Sequence, residues 1–83
     1  MAEVEITPAA LNELARVPLP IQLRIRDVIR RLANWPALNG AKLLRKELVG
    51  NFRIRTGDYR VVFRVRGQIV TIWKIGYRGD VYD

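Results

Sequence analysis

Hydrophobic and polar positions along this chain change period twice. Residues 2–6, Ala-Glu-Val-Glu-Ile, alternate with a period of two, which predicts a short half-buried strand with Val4 and Ile6 turned inward. From Thr7 the spacing becomes helical. Thr7 offers an N-cap oxygen, Pro8 suits a first helical turn, and Leu11, Leu14 and Ala15 share one face as far as Arg16 or Val17. Pro18 and Pro20 break that helix, and the second proline can open another. There Ile21, Ile25, Val28, Ile29 and Leu32 line one side, while Arg24, Arg26, Asp27, Arg30 and Arg31 take the other. Trp35-Pro36 closes the second helix, because a residue before proline is pushed out of the helical backbone region. Residues 37–50 are expected to be a connection, with room for a short turn of helix. Its Leu43, Leu44 and Leu48 would hold it down while Lys42, Arg45 and Lys46 stay exposed.

At Asn51 the period returns to two. Phe52, Ile54 and Thr56 point one way and Arg53 and Arg55 the other, before Gly57-Asp58 supplies a turn. Tyr59, Val61, Phe63 and Val65 then alternate with Arg60, Val62, Arg64 and Arg66, and Gly67-Gln68 turns the chain into a strand over Ile69 to Ile75. If Gly67-Gln68 is a two-residue turn, Trp73 falls on the Arg64 face; Trp35 and Trp73 are both read as packing residues. The expected architecture is a two-layer α+β domain spanning residues 1–83. An N-terminal strand and two antiparallel helices pack on a mainly antiparallel sheet completed by a three-stranded C-terminal meander.

Charge sharpens the picture. The 83 residues carry 15 basic and 8 acidic side chains, a formal net charge of +7, which is the footprint of a polyanion-binding protein. The excess is unevenly placed: residues 1–40 hold five basic and four acidic side chains, residues 41–83 ten and four. A polyanion should therefore meet the second half. With no cysteine and no histidine, a Ser-His-Asp triad, a thiol nucleophile, a zinc centre and a histidine-pair ribonuclease are unavailable. Any catalysis must use Arg, Lys, Tyr, carboxylates, hydroxyls or backbone groups. No apolar run approaches membrane-spanning length and no signal peptide is read, so a cytoplasmic protein without membrane contact is expected.

Alternation puts Arg53, Arg55 and Arg60 on the side of the sheet away from Phe52, Ile54 and Val61. If those apolar side chains share the core, the guanidinium groups share the open face. Clustered cations repel one another, and guanidinium forks suit phosphate, so the arrangement points to an anion such as a phosphate group. Gly76-Tyr77-Arg78-Gly79-Asp80-Val81-Tyr82-Asp83 adds a further arginine and a phenol that can stack on a base or exchange a proton.

Phe52-Arg53-Ile54-Arg55, Gly57-Asp58-Tyr59-Arg60-Val61-Val62-Phe63 and Ile75-Gly76-Tyr77-Arg78-Gly79-Asp80-Val81-Tyr82 together resemble the RelE branch of the RelE/ParE toxin superfamily. The resemblance runs over nearly the whole chain. It implies the toxin of a type II toxin–antitoxin system, which enters the ribosomal A site and cuts messenger RNA by attack of a ribose 2′-hydroxyl on the adjacent phosphate. Neither metal nor cofactor is implied, and an antitoxin, in a toxin–antitoxin hetero-oligomer, would keep the protein silent. By position, Arg53 and Arg55 take basic catalytic-site roles, Arg60 and Arg78 stabilise phosphate and transition state, and Tyr82 stacks on a base or transfers a proton. Lys42, Arg45, Lys46 and Arg64, with the arginines of the second helix, would dock ribosomal RNA. One departure matters: strongly cleaving members often carry lysines where this chain has Arg53 and Arg55. Guanidinium is a poor proton donor, which moves proton work toward Tyr82. Two other readings stand beside this one, a ParE-like inhibitor of DNA gyrase and a noncatalytic RNA-binding module.

Overall fold

The computed structural model describes residues 1–44 and 50–79. Strand β1 (Glu3–Ile6) leads into helix α1 (Pro8–Arg16) and helix α2 (Leu19–Leu32), followed by β2 (Lys42–Leu43), β3 (Asn51–Thr56), β4 (Tyr59–Arg66) and β5 (Ile69–Tyr77). The strands form one sheet in the order β1-β5-β4-β3-β2, with β1 parallel to β5 and every other pair antiparallel. This is the expected α+β arrangement. Helix α1 lies against β5 and α2 against β3, so both cover one side of the sheet. Among the described residues no helix is long and apolar enough to cross a membrane.

Local chemistry sets the boundaries. Thr7 Oγ1 accepts a hydrogen bond from the Ala10 N–H at 3.2 Å, satisfying one of the donors that a helix start leaves over. Pro18 precedes α2 and Pro20 lies in its first turn, where a missing N–H costs nothing. The Gln22 side-chain amide donates to the Val17 carbonyl at 3.1 Å and ties the two helices at their junction. Both hairpins of the meander have two-residue turns, with Gly57 at φ +61° and Gly67 at φ +58°, a region where a side chain would be strained.

The main core forms where the helices meet the sheet. Ile25, Val28 and Leu32 of α2 meet Ile54, Val61, Phe63, Val70, Ile72 and Ile75, each at most 2% exposed. Trp35, just after α2, packs edge-on against Phe52 and Phe63 with ring centroids 4.7 and 5.4 Å apart, which seals that end of the core.

Three expectations are corrected. The connection over residues 37–50 holds a strand, β2, where a turn of helix had room to form. Lys42 pairs with Arg53 and Leu43 with Phe52, so the sheet gains a fifth strand. Of the loop leucines, Leu44 is buried but Leu43 is exposed, and Leu48 lies outside the described residues. Third, the face turned from the helices is not wholly open: Leu44 and Val62 are buried there and Trp73 packs on them. A β-bulge makes this possible. Val62 pairs with Lys74 but Phe63 pairs with Ile72, leaving Trp73 as a surplus residue in β5. Trp73 lies on the Arg64 face, as a two-residue turn at Gly67-Gln68 requires, and its indole N–H donates to Asn51 Oδ1 at 2.8 Å.

Candidate functional site

Strand pairing arranges the basic side chains in rows, because directly opposed residues of an antiparallel pair project to the same side. One row runs Arg55, Arg60, Gly76 across β3, β4 and β5. The next runs Lys42, Arg53, Val62, Lys74 from β2 to β5, and a third Asn51, Arg64, Thr71. The structure thus brings Arg53, Arg55, Arg60 and Lys42 together on one face, with Arg64 farther along it. Lys74 leaves this set, for its ammonium bonds Glu13 of α1.

Exposure divides the cluster. Arg55, Arg64 and Lys42 are exposed, but Arg53 and Arg60 are only 5% and 6% exposed, contrary to the expectation of an open arginine face. The second apolar cluster, Leu44, Val62 and Trp73, rises from the same face, with Val62 directly opposite Arg53 and two residues from Arg60. Gly76 leaves the space opposite Arg60 free of a side chain. Arg60 folds back toward the β3–β4 turn, its Nη1 donating long hydrogen bonds to the carbonyls of Gly57 (3.5 Å) and Tyr59 (3.4 Å). Arg53, Arg55 and Arg60 each interact with other groups of the chain.

The same turn gathers two more arginines. The Arg78 N–H donates to the Asp58 carbonyl at 2.8 Å, fixing the start of the C-terminal segment beside the Arg55–Arg60 pair. Arg24 of α2 comes close from the helix side, its Nη1 3.6 Å from where a Cβ on Gly57 would stand. Sequence reading placed Arg24 among the outward cations of its helix and missed this approach. The turn glycine gives no signal for it, since its φ of +61° already calls for glycine and a Cβ there would meet the guanidinium only at ordinary contact distance. Tyr82, Arg45 and Lys46 lie outside the described residues.

Chemically, a cationic patch with two arginines held in place suits an anion whose charge grows during a reaction, because prearranged donors need little reorganisation. Arginine provides no proton acceptor, so any proton transfer there requires another group.

Known proteins resemble this chain closely. The family model described as the ParE toxin of the type II toxin–antitoxin system parDE matches residues 4–82. Toxin RelE3 of Methanocaldococcus jannaschii is 33% identical over 76 residues, covering 88% of this chain and 86% of that protein. Toxin RelG of Mycobacterium tuberculosis is 30% identical over 81 residues, covering 95% and 93%. Among solved structures, a chain of the toxin–antitoxin complex RelBE2 from Mycobacterium tuberculosis superposes with a TM-score of 0.82 at 30% identity, covering 93% of this chain and 98% of that one. The isolated RelE toxin of E. coli, at 16% identity and a TM-score of 0.76, shares the fold.

Proposed function

Because the chain belongs to the ParE toxin family of type II toxin–antitoxin systems, we propose that it acts as a ribosome-dependent, metal-independent endoribonuclease that cuts messenger RNA in the A site and so stops translation. The observation that carries this reading is the row in which Arg55 stands directly opposite Arg60, with Arg53 two residues along β3 and Arg78 anchored to the intervening turn. Residues 1–83 act as one domain in this reading, and work on ribosomes places it in the cytoplasm.

In the proposed reaction a ribose 2′-hydroxyl attacks the adjacent phosphorus and gives up its proton to a ribosomal RNA group or water, since guanidinium cannot accept it. The P–O bond to the following 5′-oxygen breaks, leaving a 2′,3′-cyclic phosphate and a 5′-hydroxyl. Arg53, Arg55, Arg60 and Arg78 stabilise the extra negative charge of the pentacoordinate phosphorane. Tyr82 stacks on a base or supplies a proton to the leaving oxygen, and ribosomal RNA groups assist where guanidinium cannot. Lys42, Arg45, Lys46 and Arg64 hold phosphates without reading sequence. An antitoxin is the proposed silencing partner, forming a hetero-oligomer of the kind named for RelBE2. A groove of about 680 Å³ between β1 and the helices, lined by Ile6, Leu11, Leu14, Leu23 and Ile29 with Arg26 and Arg30 beside them, offers that partner an apolar seat with a basic rim.

Messenger RNA incubated with the protein should be cut within codons when ribosomes are present and left whole when they are absent. The description of the matching family as ParE supports a second reading, inhibition of DNA gyrase. Loss of gyrase supercoiling with intact messenger RNA would establish it in place of cleavage, and ribosome binding with neither effect would leave a noncatalytic RNA-binding module. Ribosome affinity should also depend on salt. With about four phosphates neutralised, sedimentation binding is expected to weaken roughly 10²-fold between ~50 and ~200 mM salt. A salt-insensitive association would remove the docking role of the lysines and exposed arginines.

A further inference from the structure

We infer that Glu13 is a positioning residue that holds the C-terminal arm bearing Arg78 against the arginine cluster, an inference whose catalytic consequence rests on the nuclease reading above. Strand β1 accompanies β5 only as far as the Ile6–Ile72 pair. Beyond it, that edge of β5 has no strand neighbour among the described residues, and its outward N–H groups need other acceptors. Glu13, in the middle of α1, supplies one. Its Oε1 accepts from the Ile75 N–H at 2.9 Å, and its Oε2 accepts from Lys74 Nζ at 2.6 Å. One carboxylate therefore grips two consecutive residues of β5 from a position 61 and 62 residues earlier in the chain. Both side chains of the ion pair are about one third exposed (Lys74 33%, Glu13 29%), which shields the contact more than an open surface pair.

The residues next in line belong to the site. Gly76 pairs with Arg60, Tyr77 pairs with Tyr59, and the Arg78 N–H reaches the Asp58 carbonyl at 2.8 Å. The arm is thus held by Glu13 on its outer edge and by β4 and the β3–β4 turn on its inner edge. With the outer grip gone, a strand end is the segment that opens first. Arg78 would then spend less time beside Arg55 and Arg60.

The test combines two readouts on the wild type, Glu13→Ala and Glu13→Gln. In the free protein, amide hydrogen exchange at Ile75 and Arg78 should speed up on the order of tenfold in Glu13→Ala, the scale of one charge-assisted hydrogen bond, while Val61 and Phe63 keep their protection. Glu13→Gln retains an acceptor for the Ile75 N–H and should recover much of the loss. On saturating ribosome–messenger RNA complexes the cleavage rate of Glu13→Ala should fall by a similar factor while the Kd for ribosomes changes less than about twofold. Unchanged exchange at Arg78, or faster exchange with a native cleavage rate, overturns the inference. Should wild-type protein leave ribosome-bound messenger RNA whole, the nuclease reading falls and amide exchange alone decides whether Glu13 holds the arm.

Discussion

Arg60→Ala is expected to lower the ribosome-dependent cleavage rate by about 10²- to 10³-fold, the loss found when one prearranged donor to a developing oxyanion is removed. Arg60 is singled out because it combines three properties seen together nowhere else in the cluster. It is 6% exposed, it stands opposite Arg55, and the residue across from it on β5 is a glycine. A guanidinium held this way needs little rearrangement to meet a phosphorane. Arg60→Lys keeps the charge but not the paired donors, so it should recover only part of the rate. Ribosome affinity should change far less than the rate, since one phosphate contact among several is lost. Thermal unfolding of both variants separates a lost contact from a lost fold. A native cleavage rate in a folded Arg60→Ala protein would take the transition-state role away from this residue.

The second large effect concerns stability. Phe63→Ala should cost about 3–5 kcal/mol, measured by urea unfolding, because the ring is 0% exposed and contacts both Trp35 and Phe52. Small domains are commonly stable by only about 5–15 kcal/mol, so this substitution would leave the fold marginal. Leu11→Ala makes a useful contrast. Leu11 is 55% exposed, and its truncation should stay within about 0.5 kcal/mol. A Phe63→Ala cost below about 1 kcal/mol would mean that the aromatic group does not organise the junction between α2 and the sheet.

Much of this architecture is legible in the sequence, for identifiable reasons. Strands β3 and β4 alternate without interruption, so the sidedness of Phe52, Ile54, Val61 and Phe63 against Arg53, Arg55 and Arg60 follows from a period of two. Thr7 and the prolines at 8, 18 and 20 mark helix boundaries because their effects are local. What escaped depends on partners distant in the chain. Strand β2 has two residues, too few to show a period, and exists because β3 offers it a ladder. The apolar cluster of Leu44, Val62 and Trp73 on the arginine face draws each member from a different stretch of sequence. Glu13 looks like any polar residue on a helix until β1 ends and its carboxylate takes the Ile75 N–H on that edge of β5. Of the proposed site, the arginine row could be read from alternation; the fixing of Arg78 to the turn and the approach of Arg24 could not, since both arise where a turn, a helix and a strand end converge.

The surplus residue at Trp73 has an evolutionary corollary. Removing Ile75 or Gly76, beyond the bulge, would shift the end of β5 by one residue and bring Tyr77 opposite Arg60 in place of Gly76. At the bulge, a one-residue deletion of Trp73 or Lys74 restores regular pairing and leaves Ile72 and Ile75 both facing the helices, at the cost of the indole bond to Asn51 or of the Lys74–Glu13 ion pair. Natural length variation within this strand should therefore be confined to the bulge.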